Sequence, residues 1–244
     1  MLTPPQNSTA DAADAAVAGR LRAVRARITA AALAAGRTEE SVTLVAVSKG
    51  HPVTAIAAAA ALGVENFGEN YLQEALPKLA ALRGTELCWH FLGRLQANKT
   101  RAVAEHFDWV HGLDRLRIAE RLSGQRPHHA SPLNVCLQVN IAADDAKAGV
   151  APHEVATLSA AIARLPRLRL RGLMCMLPED LDSPARLAAY GRLRELLLQL
   201  RHEHDWLDTL SMGMSADFED AIRAGATLVR VGTAIFGPRV TPNL

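Results

Sequence analysis

Two features of this sequence could together carry covalent chemistry on a small molecule. The first is a lysine at the end of an apolar run. Lys49 closes the apolar run from Val42 to Ser48. An amine among apolar neighbours loses its proton more readily than at its usual pKa of about 10.4, and the neutral amine can attack an aldehyde. Lys49 is therefore a candidate Schiff-base residue, although a lysine that simply reaches water fits the same position.

The second feature is a pair of loops rich in serine and glycine near the end of the chain. Ser211-Met-Gly-Met-Ser215 and the segment that starts at Gly232-Thr233 each follow a short apolar run. Small residues let backbone N–H groups approach an anion, as in the phosphate sites of barrel enzymes, but they also serve as ordinary turn and N-cap residues. A lysine facing a phosphate across one pocket describes a pyridoxal phosphate site.

Arg230 lies between Val229 and Val231 in an otherwise apolar run, where an unpaired charge would be costly to bury. One interpretation is an arginine that faces outward and pairs with a helix carboxylate. The other is a partner for a pyridine nitrogen. A cationic donor there would keep the ring nitrogen unprotonated and weaken the ring as an electron sink.

The elements that must position these residues alternate along the chain, which predicts an α/β fold with a mostly parallel sheet. An open doubly wound sheet would more often have fewer strands and a glycine fingerprint after the first one, so we expect a single (β/α)8 TIM-type barrel with an extra N-terminal helix over 10–35. Its reactive groups should lie at the carboxyl ends of the strands. The predicted strands are 42–48, 64–67, 87–92, 109–112, 133–141, 168–174, 209–212 and 228–231, and the helices between them are 53–62, 71–82, 96–105, 115–122, 152–165, 183–204 and 216–224.

The amino-acid composition limits the classes of protein to which this chain can belong. Hydrophobic residues make up 49% and charged residues 21% of the 244 residues, which is typical of globular chains and argues against disorder. The net charge of +2 gives no support to nucleic-acid binding. We expect a flexible tail over 1–9 and one domain over 10–244, with no membrane span, no secretory signal and a cytoplasmic location. The three cysteines lie far apart, so neither disulfides nor a metal site is predicted.

The sequence resembles the pyridoxal phosphate homeostasis protein family from about Val17 to Arg239. That family has the barrel fold of the alanine racemase N-terminal domain. A departure is Gly50, where the family usually has a threonine or an aromatic residue, and we expect looser packing over the cofactor there. The motifs that carry the resemblance are Val47-Ser-Lys49, Phe67-Gly-Glu-Asn-Tyr71, Trp89-His-Phe-Leu-Gly93, Leu95-Gln-Ala-Asn-Lys99, Gly172-Leu-Met174, Ser211-Met-Gly-Met-Ser215 and Val229-Arg-Val-Gly-Thr233.

The resemblance implies a role for each candidate site residue. It implies an aldimine between pyridoxal 5′-phosphate and Lys49, with Arg230 beside the pyridine nitrogen and Asn70 lining the pocket. Lys147, in the loop after the fifth strand, matches a family lysine with a role in cofactor entry or transfer. The implied phosphate contacts come from Ser215, Gly232 and Thr233, helped by Ser211.

Whether the chain turns over a substrate is a separate question. In alanine racemase the second base is a tyrosine from the additional β domain of the partner subunit. We expect no such domain in this chain, and neither Tyr71 nor Tyr190 is an obvious substitute. We therefore expect a monomeric carrier that holds and releases pyridoxal phosphate, with apo forms of pyridoxal phosphate enzymes as partners. The alternatives are a single-domain racemase that uses Lys49 alone or with Lys147, and a Schiff-base aldolase acting on a phosphorylated sugar. His90 is interpreted as a hydrogen-bonded core residue.

Overall fold

Eight parallel strands close into a barrel in chain order, each hydrogen-bonded to the next and β8 to β1. The computed structural model describes residues 8–144 and 147–239. The predicted (β/α)8 barrel is confirmed. The strands are β1 Thr43–Val47, β2 Asn66–Glu69, β3 Cys88–Phe91, β4 Trp109–Leu113, β5 Leu133–Gln138, β6 Leu168–Met174, β7 Thr209–Ser211 and β8 Leu228–Val231.

Helices surround the strands, and the N-terminal helix fills a place that the repeating pattern leaves open. Within the described residues a four-residue helix follows β8, and α1 packs against α2, α8 and α9. The apolar face of α1 is buried there, with Leu21 and Val24 each 1% exposed. The described helices are α1 Ser8–Ala34, α2 Val53–Ala61, α3 Leu72–Ala81, α4 Thr100–His106, α5 Leu116–Gln125, α6 Val155–Ala163, α7 Ser183–Leu200, α8 Phe218–Arg223 and α9 Thr233–Phe236.

Several element boundaries differ from the sequence-based prediction. The helix predicted over 96–105 begins as a 3-10 turn at Ala97–Lys99, and the one predicted over 216–224 begins only at Phe218. The latter starts late because the Asp217 carboxylate accepts the Met214 N–H at 2.6 Å and holds the preceding loop in a turn. Helix α1 begins at Ser8, inside the predicted tail; residues 1–7 lie outside the described residues, so that tail stays a prediction.

Strand register brings the candidate residues to one edge of the barrel. Val45 of β1 lies opposite Arg230 of β8, and Ala46 lies opposite both Val231 of β8 and Phe67 of β2. The residues that follow these strands therefore emerge side by side at the carboxyl end of the barrel, which is where barrel folds hold their ligands.

Candidate functional site

Lys49 follows β1 at the mouth of the barrel, and its side chain is half-buried. Burial lowers the pKa of its amine, and the positive charge of Arg239 lowers that pKa further. Among the described residues, the amine has no hydrogen-bond or ion-pair partner. A partly desolvated amine without a carboxylate partner loses its proton more readily, which is the condition that a carbonyl-binding lysine needs.

A buried cluster of charged and polar groups, formed by Ser48, Glu69 and Lys78, supports the loop that carries Lys49. The Lys78 ammonium donates to Glu69 Oε1 at 2.7 Å and to the Ser48 carbonyl oxygen at 2.9 Å. The Ser48 hydroxyl donates to the same Glu69 oxygen at 2.6 Å. Since the Glu69 side chain is fully buried and that of Lys78 is 9% exposed, the cluster fixes the end of β1 directly beside Lys49.

The loop after β7 and the start of α9 form a group of converging backbone donors. The N–H groups of Gly232 and Ala234 donate to the Ser215 hydroxyl at 3.3 and 3.4 Å. Two backbone donors therefore converge on the Ser215 hydroxyl oxygen, and Thr233, which begins α9, is exposed beside them. Such convergence suits an anion.

Glycine is required in the loop that presents Ser215. Gly213 has a φ of +93°, and a Cβ there would lie 2.6 Å from the Ala221 Cβ and 2.9 Å from the Phe218 Cα. A side-chain contact also supports the loop, because the Asp217 carboxylate accepts a hydrogen bond from the Tyr190 hydroxyl at 2.8 Å. Backbone conformation and side-chain contacts therefore fix the same turn.

Arg230 points into the barrel rather than toward the helix layer. Its guanidinium donates to the Ser211 hydroxyl at 2.7 Å and to the Cys175 carbonyl oxygen at 2.9 Å, and the residue is 4% exposed. No carboxylate of residues 8–144 and 147–239 forms an ion pair with it. The alternative of an outward arginine paired with a helix carboxylate is therefore wrong.

Ser211 lies deeper than the other serine of its loop. Its side chain is fully buried, and its hydroxyl contacts Arg230 and, at 2.7 Å, Nδ1 of His111. The hydroxyl accepts the Arg230 N–H and lies within hydrogen-bond distance of the His111 ring nitrogen. The implied phosphate contact of Ser211 stays a prediction, whereas the structure shows it as a support for Arg230.

Asn70 and Lys147 come from two further loops at this edge. The Asn70 Oδ1 atom is buried and has no hydrogen-bond partner, although the residue as a whole is only half-buried. The loop with Lys147 is tied down by Gln138, the last residue of β5, whose side-chain amide donates to the Ala148 carbonyl oxygen at 2.8 Å. Lys147 itself is half-buried, and its backbone N–H donates to the Asp144 carbonyl oxygen at 2.9 Å.

Comparison with known proteins places the chain in a family. The family model described as alanine racemase, N-terminal domain, matches residues 20–240. A protein from Pseudomonas aeruginosa named pyridoxal phosphate homeostasis protein is 55% identical over 223 residues, which are 91% of this chain and 96% of that protein. The chain belongs to the pyridoxal phosphate homeostasis protein family. A member with the same name from Escherichia coli K12 is 49% identical over 226 residues, covering 91% of this chain and 97% of that one.

Solved structures agree with this assignment. PipY of Synechococcus elongatus, solved with PLP bound, is 37% identical with a TM-score of 0.79 over 91% of this chain and all of that one. An alanine racemase from Clostridium difficile has a TM-score of 0.74 at 13% identity, over 94% of this chain and 58% of its own. At that identity the likeness shows the fold alone.

Several residues of the site were not singled out by the sequence. Glu69 carries a signal in retrospect, because it is a carboxylate at the end of an apolar strand. Lys78 carries none, since a lysine on a helix is normally exposed. Arg239 and His111 likewise reach the site only through tertiary contacts.

Two properties of the described residues bear on other classes of function. None of the helices within 8–144 and 147–239 is both long and apolar enough to span a membrane. The same residues contain no group of three or more His, Cys, Asp or Glu side chains that could hold a metal ion.

Proposed function

We propose that this chain binds pyridoxal 5′-phosphate at the barrel mouth and holds it through the amine of Lys49. The observation that carries the proposal is that an amine with a lowered pKa, a group of converging anion donors at Ser215 and a buried arginine without a carboxylate partner share one mouth. Relatives that cover most of this chain are named for the same cofactor, and one was solved with it.

The residues present fit the groups of this cofactor. When bound, pyridoxal phosphate supplies an aldehyde that condenses with primary amines and a pyridine ring that withdraws electrons. Ser215 with the N–H groups of Gly232 and Ala234 would bind the phosphate, and Arg230 would meet the ring nitrogen. The buried Asn70 Oδ1, which lacks a partner among the described residues, offers an acceptor to a polar group of the ligand.

The backbone at Gly50, next to Lys49, shapes the barrel mouth of this chain. Its φ is +73°, its N–H donates to Glu74 Oε2 at 2.9 Å, and a Cβ there would lie 3.3 Å from the Arg239 Cδ. The space that a larger residue would take is thus bordered by Arg239. This arrangement brings a second cation close to Lys49.

The proposed role is storage and delivery rather than turnover. Tyr190 is 1% exposed, its hydroxyl is bonded to Asp217, and burial raises its pKa, so it is held as a phenol away from reaction. Tyr71 is 52% exposed at the start of α3. The buried Tyr190 hydroxyl is thus not free to act as an opposing base, which disfavours racemisation through that residue. We propose a monomer that acts in the cytoplasm, with apo-enzymes as recipients and with Lys147 on the entry loop.

The test uses protein loaded with pyridoxal phosphate and two assays. An apo-aminotransferase is added in the first assay, and its recovered activity and the lost absorption of the loaded protein are followed. In the second assay, L-alanine is incubated in D2O and examined for exchange at Cα and for D-alanine. We expect transfer in the first assay, no exchange in the second, and loss of loading in Lys49→Ala.

Two outcomes would contradict the proposal. Catalytic exchange that Lys49→Ala abolishes would establish an enzyme instead of a carrier, and its loss in Lys147→Ala would identify the second base. Protein that takes up no pyridoxal phosphate would contradict the binding function itself. The control variant is Lys99→Ala, which changes a lysine whose amine contacts the Gln73 side chain at 3.5 Å.

A further inference from the structure

Four hydrogen bonds link five polar residues through the inside of the barrel, and we call this set the interior chain. It begins at Arg230, whose Nη1 is 2.7 Å from the Ser211 Oγ, and Ser211 is 2.7 Å from Nδ1 of His111. Nε2 of His111 lies 2.9 Å from Nδ1 of His90. Nε2 of His90 lies 3.0 Å from the Asn66 Oδ1.

The interior chain crosses the barrel from one end to the other. Ser211 is the last residue of β7, at the mouth, and Asn66 is the first residue of β2, at the opposite end. His111 and His90 lie between them in β4 and β3 and are at most 1% exposed. Buried polar side chains in a barrel interior need all their hydrogen bonds, because each unpaired group costs free energy.

The donor and the acceptor of each hydrogen bond in the interior chain can be assigned from the groups at its two ends. Burial lowers the pKa of His90 to about 3 and that of His111 well below 6.5, so at neutral pH each ring has one N–H and one acceptor nitrogen. A guanidinium only donates. Ser211 therefore accepts from Arg230 and gives its own proton to Nδ1 of His111.

The remaining bonds follow in the same direction. Nε2–H of His111 donates to Nδ1 of His90, and Nε2–H of His90 donates to the Asn66 carbonyl oxygen. The Cys88 sulfur lies 3.4 Å from the same His90 nitrogen, and burial raises the pKa of that thiol to about 12, so it stays uncharged. The reverse order would leave the Ser211 proton without an acceptor among residues 8–144 and 147–239, and it would set the unprotonated Nε2 of His90 against the Asn66 Oδ1.

We propose that His111 and His90 are positioning residues that act through Ser211 to hold the Arg230 guanidinium in one orientation toward the cofactor's ring nitrogen. The inference rests on the proposed function. With Nη1 bound to Ser211 and Nη2 bound to the Cys175 carbonyl oxygen, rotation of the guanidinium would break one of the two bonds. The two neutral rings fix this geometry without adding positive charge. A fixed cationic donor keeps the ring nitrogen unprotonated, which suits a protein that holds the cofactor without strong carbanion chemistry.

The first test uses the protein without cofactor, so it does not depend on binding. Long-range 1H–15N NMR on histidine-labelled protein reports which ring nitrogen carries the proton. We expect both His90 and His111 as Nε2–H tautomers, unchanged between pH 8 and pH 5. A protonated ring, or an Nδ1–H tautomer at either residue, would overturn the proposed order.

The second test uses protein loaded with pyridoxal phosphate labelled with 15N in its ring. His111→Leu removes the acceptor of the Ser211 proton, whereas His111→Asn restores an acceptor oxygen near the place of Nδ1. We expect the ring 15N signal to shift toward the protonated position in His111→Leu and to stay at the wild-type position in His111→Asn. Thr209→Val is the matched control, because Thr209 lies on β7 two residues before Ser211 and bonds Asp208 instead.

The outcomes separate this inference from the proposed function. Wild-type protein that binds no cofactor contradicts both. Bound cofactor with the wild-type signal in His111→Leu, or with the same shift in Thr209→Val, overturns only the positioning role. If His111→Leu does not fold, the tautomers of the wild-type protein still decide the proton order, and His90→Leu tests the next link in the same way.

Discussion

Lys78→Met would leave the buried carboxylate of Glu69 without its cation. The pair has an N–O distance of 2.7 Å, and its side chains are 9% and 0% exposed, so solvent cannot replace the lost partner. Removing one partner of such a pair costs about 3–5 kcal/mol. At about 2–4 °C per kcal/mol for a chain of this size, the melting temperature should fall by roughly 6–20 °C.

The pH dependence of that loss identifies its cause. Burial already raises the pKa of Glu69, and the loss of Lys78 removes an interaction that lowers it. A carboxyl group whose pKa is raised in the folded state contributes stability below its unfolded pKa, and this is lost as pH rises through the folded value. The deficit of Lys78→Met relative to wild type should therefore be largest at neutral pH and should shrink toward about pH 4.5.

The assay is thermal and urea unfolding of each variant between pH 5 and pH 8. Lys78→Met combined with Glu69→Gln should recover part of the lost stability, because a neutral amide is less costly to bury. Arg101→Met is the control, since that side chain is 70% exposed and pairs with Glu105 only at 3.8 Å. A Lys78→Met protein that melts with the control, or whose deficit grows on acidification, would refute the reasoning.

Three further predictions concern other parts of the barrel. Below about pH 6.5 the histidines of the unfolded chain take up protons, while folded His90 and His111 stay neutral. Urea unfolding should therefore show that the free energy of unfolding decreases as pH is lowered, by up to about 2.7 kcal/mol per pH unit for both histidines together. Gly213→Ala should lower the melting temperature by several degrees, because φ is +93° and the added Cβ would clash. Arg239→Ala should raise the pKa of Lys49 and move cofactor uptake, followed by absorbance against pH, to higher pH.

The first two of these predictions have matched controls, and the third has a result that would contradict it. His128→Gln changes an exposed histidine and should leave the pH slope of stability as in wild type. Gly191→Ala lies in α7 with open space around its Cβ and should stabilise the protein by about 0.5–1 kcal/mol. Uptake that keeps its wild-type pH dependence in Arg239→Ala would show that this cation does not set the pKa of Lys49.

The barrel could be predicted because its strands and helices are marked by local patterns. Apolar runs of strand length alternate with helical spacing, and the count of eight selects a closed barrel. Boundaries were less accurate where a side chain decides them, as Asp217 does before α8. Local patterns do not contain such contacts.

The site also contains residues that local sequence patterns indicate and residues that only the fold brings together. Lys49, Ser215 and Arg230 could be singled out because each lies at or near the carboxyl end of a strand. The pairing of Lys78 with Glu69 could not, since a lysine on a helix is expected in water until the fold places a carboxylate beneath it. The link between His111 and Ser211 joins residues 100 positions apart, and only the closed barrel brings them together.

The central claim is that Lys49 holds pyridoxal phosphate at the barrel mouth, and one measurement tests it most directly. The purified protein is incubated with pyridoxal phosphate, reduced with borohydride, digested and mapped by mass spectrometry. We predict a single modified lysine, Lys49, and no stoichiometric adduct in Lys49→Ala. Labelling spread over exposed lysines, or equal labelling of the Lys49→Ala protein, would contradict the account.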